Sequence, residues 1–398
     1  MTTALIYDPI FLEHITPSQH PEKPQRIQLA YEALEELGWL TREGLVQLVP
    51  RAATLDELAA VHDRDYIQDV ADASRQMAEE AAKDGYKTAF FATDTYISAK
   101  SYEAATKAAG APLTAIDAMM KGDIKNAYCL VRPPGHHALP DDAMGFCIFN
   151  NIAVAARYAI DHYGLERVMI IDYDVHHGNG TQDMFYSDPR VLYFSIHQAP
   201  FYPGTGASDE LGEGNAIGTT INVPIPATCG FDTYEAVFRQ VMAPAADRFN
   251  PQLILVSAGY DAHWKDAIPE TNLGTKMYLS TAGFFRLNEI ILNLADLLCD
   301  GRIIMLQEGG YNAQATGMCV ATSINQLLGG DAAVDSFGPP PVDPMRVNTD
   351  VLIAELRRIH GLTGYRMRNF KKPDVERLRR EIKGPDATNT PLSDTQND

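Results

Sequence analysis

No run of about 18 uncharged apolar residues occurs in this chain, so the sequence offers no transmembrane helix. The opening "MTTALIYDPIFLEHI" lacks a basic segment followed by an apolar stretch, the pattern of a secretory leader. Basic residues are scarce: 33 Lys and Arg stand against 52 Asp and Glu, a formal net charge of −19. Phosphate contacts need clustered Lys and Arg, so nucleic acid is not an expected partner. A cationic partner fits the charge better, although an acidic balance by itself does no more than keep a protein soluble. Cysteine is sparse as well. Cys129, Cys147, Cys229, Cys299 and Cys319 are odd in number, far apart and mostly among apolar neighbours, and they read as reduced, buried thiols rather than a disulfide framework. These features together predict a cytoplasmic protein without a membrane anchor.

What is present is an ordinary globular composition, 45% hydrophobic and 21% charged over 398 residues, with one apolar rhythm throughout. A single large domain over residues 1–375 is expected, followed by a disordered tail over 376–398 that holds almost no large apolar residue. The short apolar runs "AYCLV", "RVMII", "VLYFSI", "LILVSA" and "RIIML" suit buried parallel strands. Segments such as "NIAVAARYAIDHYG", "FDTYEAVFRQVMAPAADRF" and "STAGFFRLNEIILNLADLL" carry apolar residues at helical spacing. This alternation predicts an α/β fold with a largely parallel sheet. The first hundred residues read as mainly helical and flanking the sheet. An amphipathic helix in "RVNTDVLIAELRRIHGL" either packs back or mediates homo-oligomers.

Open α/β sheets bind ligands beyond the carboxyl ends of their strands, and here those ends are unusually polar. The apolar runs lead into Arg132-Pro133-Pro134-Gly135-His136-His137, Asp172-Tyr173-Asp174-Val175-His176, His197, Gly259-Tyr260-Asp261 and Gln307-Glu308-Gly309-Gly310-Tyr311. Alternate residues of a strand share a face, so Asp172, Asp174 and His176 are expected to point the same way. Adjacent carboxylates repel unless a cation lies between them, and a catalytic zinc site takes three protein ligands of this kind. Asp174 and His176 with Asp261, after the turn-forming Gly259, satisfy that. On residue types alone these acids serve equally well as helix caps or arginine partners. The rigid Pro-Pro-Gly before His136 and His137 suits a proton-transfer pair, with Asp172 and Asn179 available to fix each ring. Tyr311 suits an oxyanion donor.

The stretches "LVRPPGHHALPDDAMGFCIFNNIAVAARYA" and "IIDYDVHHGNGTQDMFYSDPRVLYFSIH" resemble the zinc-dependent histone deacetylase and acetylpolyamine amidohydrolase superfamily, in its class II branch. The resemblance runs from "HPEKPQRI" to "LQEGGY". It implies an arginase-like fold with a central eight-stranded parallel sheet between helical layers. It further implies a deacylase that hydrolyses acetyl-lysine or related short acyl-lysine amides, or else acetylpolyamines and similar small amides. By this resemblance Asp174, His176 and Asp261 bind zinc. His136 and His137 are the tandem catalytic histidines, backed by Asp172 and Asn179, and Tyr311 is the transition-state tyrosine. Gly145, Phe146 and Tyr202 line a narrow acyl-lysine tunnel, with Phe146 and Tyr202 facing each other across it. Asp94 is a rim residue that accepts hydrogen bonds from the substrate backbone, and Leu273 stands where a polyamine-selective branch carries glutamate. Asp172, Asp174, His176, Ser195 and Ile196 match one buried potassium site, and Phe185, Asp188 and Val191 a second.

Overall fold

The computed structural model describes residues 2–85, 87–266, 275–345 and 347–367; the expected tail and Leu273 lie outside them. Residues 1–365 pack as one unit. At its centre is an eight-stranded sheet in the order β2-β1-β5-β10-β9-β6-β7-β8. The strands are β1 (Thr3–Ile6), β2 (Leu45–Leu48), β5 (Asn126–Cys129), β6 (Val168–Asp172), β7 (Val191–Gln198), β8 (Thr220–Ile225), β9 (Leu253–Ala258) and β10 (Ile303–Gln307). Every neighbouring pair is parallel. A separate antiparallel hairpin joins β3 (Thr88–Phe90) to β4 (Tyr96–Ser98). The sequences "VMIID" of β6 and "LILVSA" of β9 are buried at every position. Strands covered by helices on both faces need such continuous apolar runs.

Helices Asn151–Tyr163, Thr281–Cys299 and Ala313–Leu327 begin at Asn150, Ser280 and Asn312, whose side chains accept the backbone N–H groups of Ala153, Gly283 and Ala315. Such caps satisfy donors that the first turn leaves free. The segment read as one helix over "FDTYEAVFRQVMAPAADRF" is instead two, Phe231–Val237 and Ala243–Phe249, joined by a π-helical turn at Phe238–Met242. Pro244 supplies the reason, because it has no N–H for the carbonyl of Gln240. That carbonyl accepts from Arg357 Nη1 at 2.6 Å. Arg357 belongs to the closing helix Thr349–Ile359, which packs back on this segment with Ile353 and Leu356 buried.

The first hundred residues do more than flank the sheet. β1 and β2 are part of it, and β3 and β4 form the hairpin. These strands are three or four residues long, too short for their periodicity to compete with the long helix Arg64–Asp84 beside them. β8 also went unread, since Pro224 interrupts "TINVPI" and proline is confined to edge strands; β8 is at the sheet edge.

Candidate functional site

The adjacent strands β5, β10, β9, β6 and β7 carry the polar segments at their carboxyl ends, so His136, His137, Asp172, Asp174, His176, Asp261 and Tyr311 meet at one edge of the sheet. β6 stops at Asp172, so strand alternation does not place Asp174 and His176. A turn does: Asp172 Oδ1 accepts the N–H of Asp174 at 3.2 Å, and Asp174 Oδ1 accepts the N–H of His176 at 2.9 Å. Each carboxylate thus caps the backbone two residues on, the habit that makes Asp a turn residue.

Asp174, His176 and Asp261 are buried and bring ligand-type atoms within 4.8 Å of one another. His176 Nδ1 lies 3.0 Å from Asp174 Oδ1 and 3.1 Å from Asp261 Oδ2. Asp174 Oδ2 accepts the N–H of Gly309 at 2.8 Å, and Asp261 Oδ1 that of Val175 at 2.9 Å. Beyond that 3.1 Å approach to His176 Nδ1, Asp261 Oδ2 is buried with no well-formed hydrogen bond, which is costly unless something else is bound there. Burial and the Asp174 charge raise the pKa of Asp261. Burial opposes ionisation of Asp174 too, but the His136 charge and the His176 hydrogen bond hold it well below the usual carboxylate range. Two carboxylates around one imidazole are the ligand set that a borderline divalent cation takes.

Gly259 was expected to form a turn, yet its φ is not left-handed. Its role is space, because a Cβ there would lie 1.9 Å from Asp174 Oδ2.

His136 and His137 are buried with ring centroids 4.1 Å apart, but their partners differ. His136 Nδ1 lies 3.0 Å from Asp172 Oδ2, which also accepts from the Tyr193 hydroxyl at 3.2 Å. Burial lowers the pKa of His136, but the Asp172 and Asp174 charges outweigh it and push the ring up to about 10. His137 Nδ1 lies 2.8 Å from Asn179 Oδ1. With a neutral partner, burial and the neighbouring His136 and His176 push His137 well below its ordinary value.

Tyr311 is held through its backbone, since Asp266 Oδ2 accepts the N–H groups of Tyr311 and Asn312. The Arg26 guanidinium lies 4.8 Å from the Tyr311 ring centre and donates to the carbonyls of Glu308 and Gly310. The Phe146 ring is edge-on to Tyr311 at 5.7 Å, and the Tyr202 ring is edge-on to His137 at 5.2 Å. Gly145 packs on His137. Asp94 accepts from Gly145 N–H and the Tyr202 hydroxyl, each at 3.0 Å. Ser195 pairs with Asp172 across β6 and β7, and its hydroxyl meets His197 Nδ1 at 2.9 Å, with Ile196 buried beside it. Phe185, Asp188 and Val191 lie apart from this cluster in a turn where each backbone N–H of Asp188 and Val191 bonds three residues back.

Three groups went unread in the sequence. Glu308 is fully buried and accepts Gly135 N–H at 2.7 Å and His136 N–H at 3.2 Å; burial pushes it up to about 7. Asp266 is likewise pushed to about 7, by burial and the Asp261 charge. Glu22 is buried between Arg132 and Arg26. Glu308 lies within "LQEGGY" and Glu22 within "HPEKPQRI", the one sign in the sequence that points to them.

Residues 20–327 match the histone deacetylase domain model. The chain is 38% identical over 355 residues to "Histone deacetylase 10, chloroplastic" of Oryza sativa subsp. japonica, covering 86% of this chain and 78% of that protein. It is 36% identical over 316 residues to the "Histone deacetylase-like amidohydrolase" of Pseudomonas aeruginosa, covering 79% of this chain and 78% of that one. The crystal structure of an HDA15 HD domain superposes with a TM-score of 0.78 at 33% identity, covering 92% of this chain and 96% of that one. The fold is therefore the arginase-like α/β fold of these proteins, and the chain belongs to the histone deacetylase family.

Proposed function

We propose that the protein is a zinc-dependent deacylase that hydrolyses the amide of acetyl-lysine or a related short acyl-lysine side chain. The observation that carries the reading is the buried cluster of Asp174, His176 and Asp261, with Asp261 Oδ2 in no hydrogen bond, beside two histidines of opposite proton affinity. Those three residues would hold the zinc ion. When bound, zinc supplies Lewis-acid polarisation of the amide carbonyl and brings the pKa of water to about 7.

The chain's own groups account for the proton movements. Asn179 Oδ1 accepts from His137 Nδ1–H, so the Nε2 lone pair of the neutral ring is free. His137 takes a proton from the attacking water and carries it to the amine nitrogen as the C–N bond breaks, releasing carboxylate and free amine. His136, held as the cation by Asp172, stabilises negative charge and assists protonation of the amine. The Tyr311 hydroxyl, kept protonated by burial, donates to the developing oxyanion. Phe146 and Tyr202 flank an unbranched aminoalkyl chain. Backbone carbonyls around Asp172, Asp174, His176, Ser195 and Ile196 would hold one potassium ion, and those of Phe185, Asp188 and Val191 another.

The same site would accept an acetylpolyamine, which presents the same acylated aminoalkyl chain; the net charge of −19 favours a cationic substrate. Relative kcat/KM for an acetyl-lysine peptide and for acetylputrescine separates the two. Metal analysis finding no divalent ion, with neither substrate turned over after Zn²⁺ addition, would overturn both.

A further inference from the structure

Asp94 lies in the connection between β3 and β4, outside the main sheet. One of its oxygens, Oδ1, accepts the N–H of Gly145 at 3.0 Å and the hydroxyl of Thr95 at 3.1 Å; the other, Oδ2, accepts the hydroxyl of Tyr202 at 3.0 Å. The Thr95 hydroxyl in turn accepts the N–H of Phe146 at 3.2 Å. The segment held this way is strained. Gly145 and Phe146 have φ of 57° and 69°, and a left-handed phenylalanine persists only where its surroundings over-determine it. The outcome of that strain is placement: Gly145 sits so close to His137 that a Cβ would lie 2.1 Å from the ring, and the Phe146 ring stands perpendicular to that of Tyr311 at 5.7 Å. From the loop after β7, the Tyr202 ring stands perpendicular to that of His137 at 5.2 Å. A single carboxylate therefore joins the two segments that pack against His137, with three of its roughly four acceptor positions filled by the protein.

We propose that Asp94 is a positioning residue that fixes the width of the acyl-aminoalkyl slot by tying the Gly145–Phe146 turn to Tyr202. Selection of a slender acylated amine then does not depend on the substrate's main chain. A hook for substrate backbone amides, the role expected from the family resemblance, predicts the opposite. The inference rests on the amide-hydrolase reading for its kinetic consequence, though not for the tie itself.

The test compares the parent with Asp94→Ala, Tyr202→Phe and the double variant. Two substrates are used: an acetyl-lysine peptide, and N-hexylacetamide, which has the acetylated alkylamine but no main-chain amides. Loss of a charge-assisted hydrogen bond lowers an equilibrium by about tenfold or more, so Asp94→Ala should lower kcat/KM by about tenfold on both substrates. Tyr202→Phe, which loses only the hydroxyl, should lower both by about threefold. The double variant should be no worse than Asp94→Ala, since the two deletions break one tie. Hydrogen exchange on the metal-free protein supplies a readout apart from turnover: the amides of Gly145 and Phe146 should exchange about tenfold faster in Asp94→Ala. Unchanged exchange at those amides, a loss confined to the peptide substrate, or losses that multiply in the double variant would each overturn the proposal. Should the parent hydrolyse neither substrate, the amide-hydrolase reading fails, while the exchange rates still decide whether the tie exists.

Discussion

Replacing Asn179 by aspartate changes one atom pair and tests how the two histidines are divided. Asn179 Oδ1 lies 2.8 Å from His137 Nδ1, almost the spacing of Asp172 from His136 at 3.0 Å. With aspartate both rings face a carboxylate. An opposite charge at this range raises a histidine pKa by about 1–3 units, or about 1.4–4 kcal/mol at 1.36 kcal/mol per unit. The sign follows from the proposed base role: if activity needs neutral His137, the acidic limb of kcat/KM against pH lies at its pKa and moves to higher pH as that pKa rises. One unit below the new pKa only about a tenth of the enzyme carries a neutral His137. Activity on the acid side should therefore fall and recover as the pH rises. Asn179 Nδ2 also donates to the His137 carbonyl and contacts Met144 Sδ, where a carboxylate oxygen is unwelcome, so a modest drop in Tm accompanies the shift. The assay is kcat/KM from pH 5 to 10 at constant zinc content. Superimposable profiles for parent and Asn179→Asp would refute the assignment of His137 as the base.

Tyr311→Phe should lower kcat by about 10²- to 10³-fold with KM and metal content little changed, the usual effect of deleting one oxyanion donor; normal turnover would give that role to another group. Asp261→Asn removes the unpartnered buried carboxylate oxygen, so metal per chain should fall toward zero by elemental analysis and added Zn²⁺ should no longer raise Tm. Glu308→Ala strands the buried N–H groups of Gly135 and His136, at about 1–3 kcal/mol each; Glu308→Gln, which keeps an acceptor, should recover most of the lost Tm and kcat. His62 accepts Asn150 N–H and pairs with the Leu139 carbonyl, and burial pushes it down to about 4. Because the unfolded chain then binds the proton first, its contribution to stability is present above about pH 6.5 and is lost as pH falls toward about 4, and His62→Gln should flatten that part of a denaturation series against pH.

The sequence is legible where chemistry is local. Pro-Pro-Gly before His136, and alternating acids around His176, place titratable groups within a few residues of a buried strand, and five such ends sit on adjacent strands. Illegible were the ties between distant segments. Asp94 and Tyr202 are 108 positions apart, Asp266 and Tyr311 45, and Glu308 and Gly135 173; no spacing in one chain reveals such a pair. Short strands failed for another reason. β1 and β2 have four residues each, and the sheet recruits them by hydrogen bonding to strands already buried.

Glycine shows how a right expectation can rest on the wrong cause. Gly259 and Gly309 follow strands, where turns are common, yet neither needs a left-handed backbone. A Cβ at Gly259 would meet Asp174 Oδ2 at 1.9 Å, and one at Gly309 would meet Asp261 Oδ2 at 2.2 Å and Asp174 Oδ2 at 2.4 Å. The two strand ends thus approach the carboxylates so closely that only hydrogen fits between. Such packing excludes water from two acids that would rather be hydrated, and leaves a cation as the natural counter-charge. It also lets the Gly309 N–H reach Asp174 Oδ2 at 2.8 Å, orienting the acid through the turn that carries Tyr311. On the function proposed, metal affinity and oxyanion stabilisation would be coupled through one glycine, because the backbone that fixes Asp174 also positions the Tyr311 phenol.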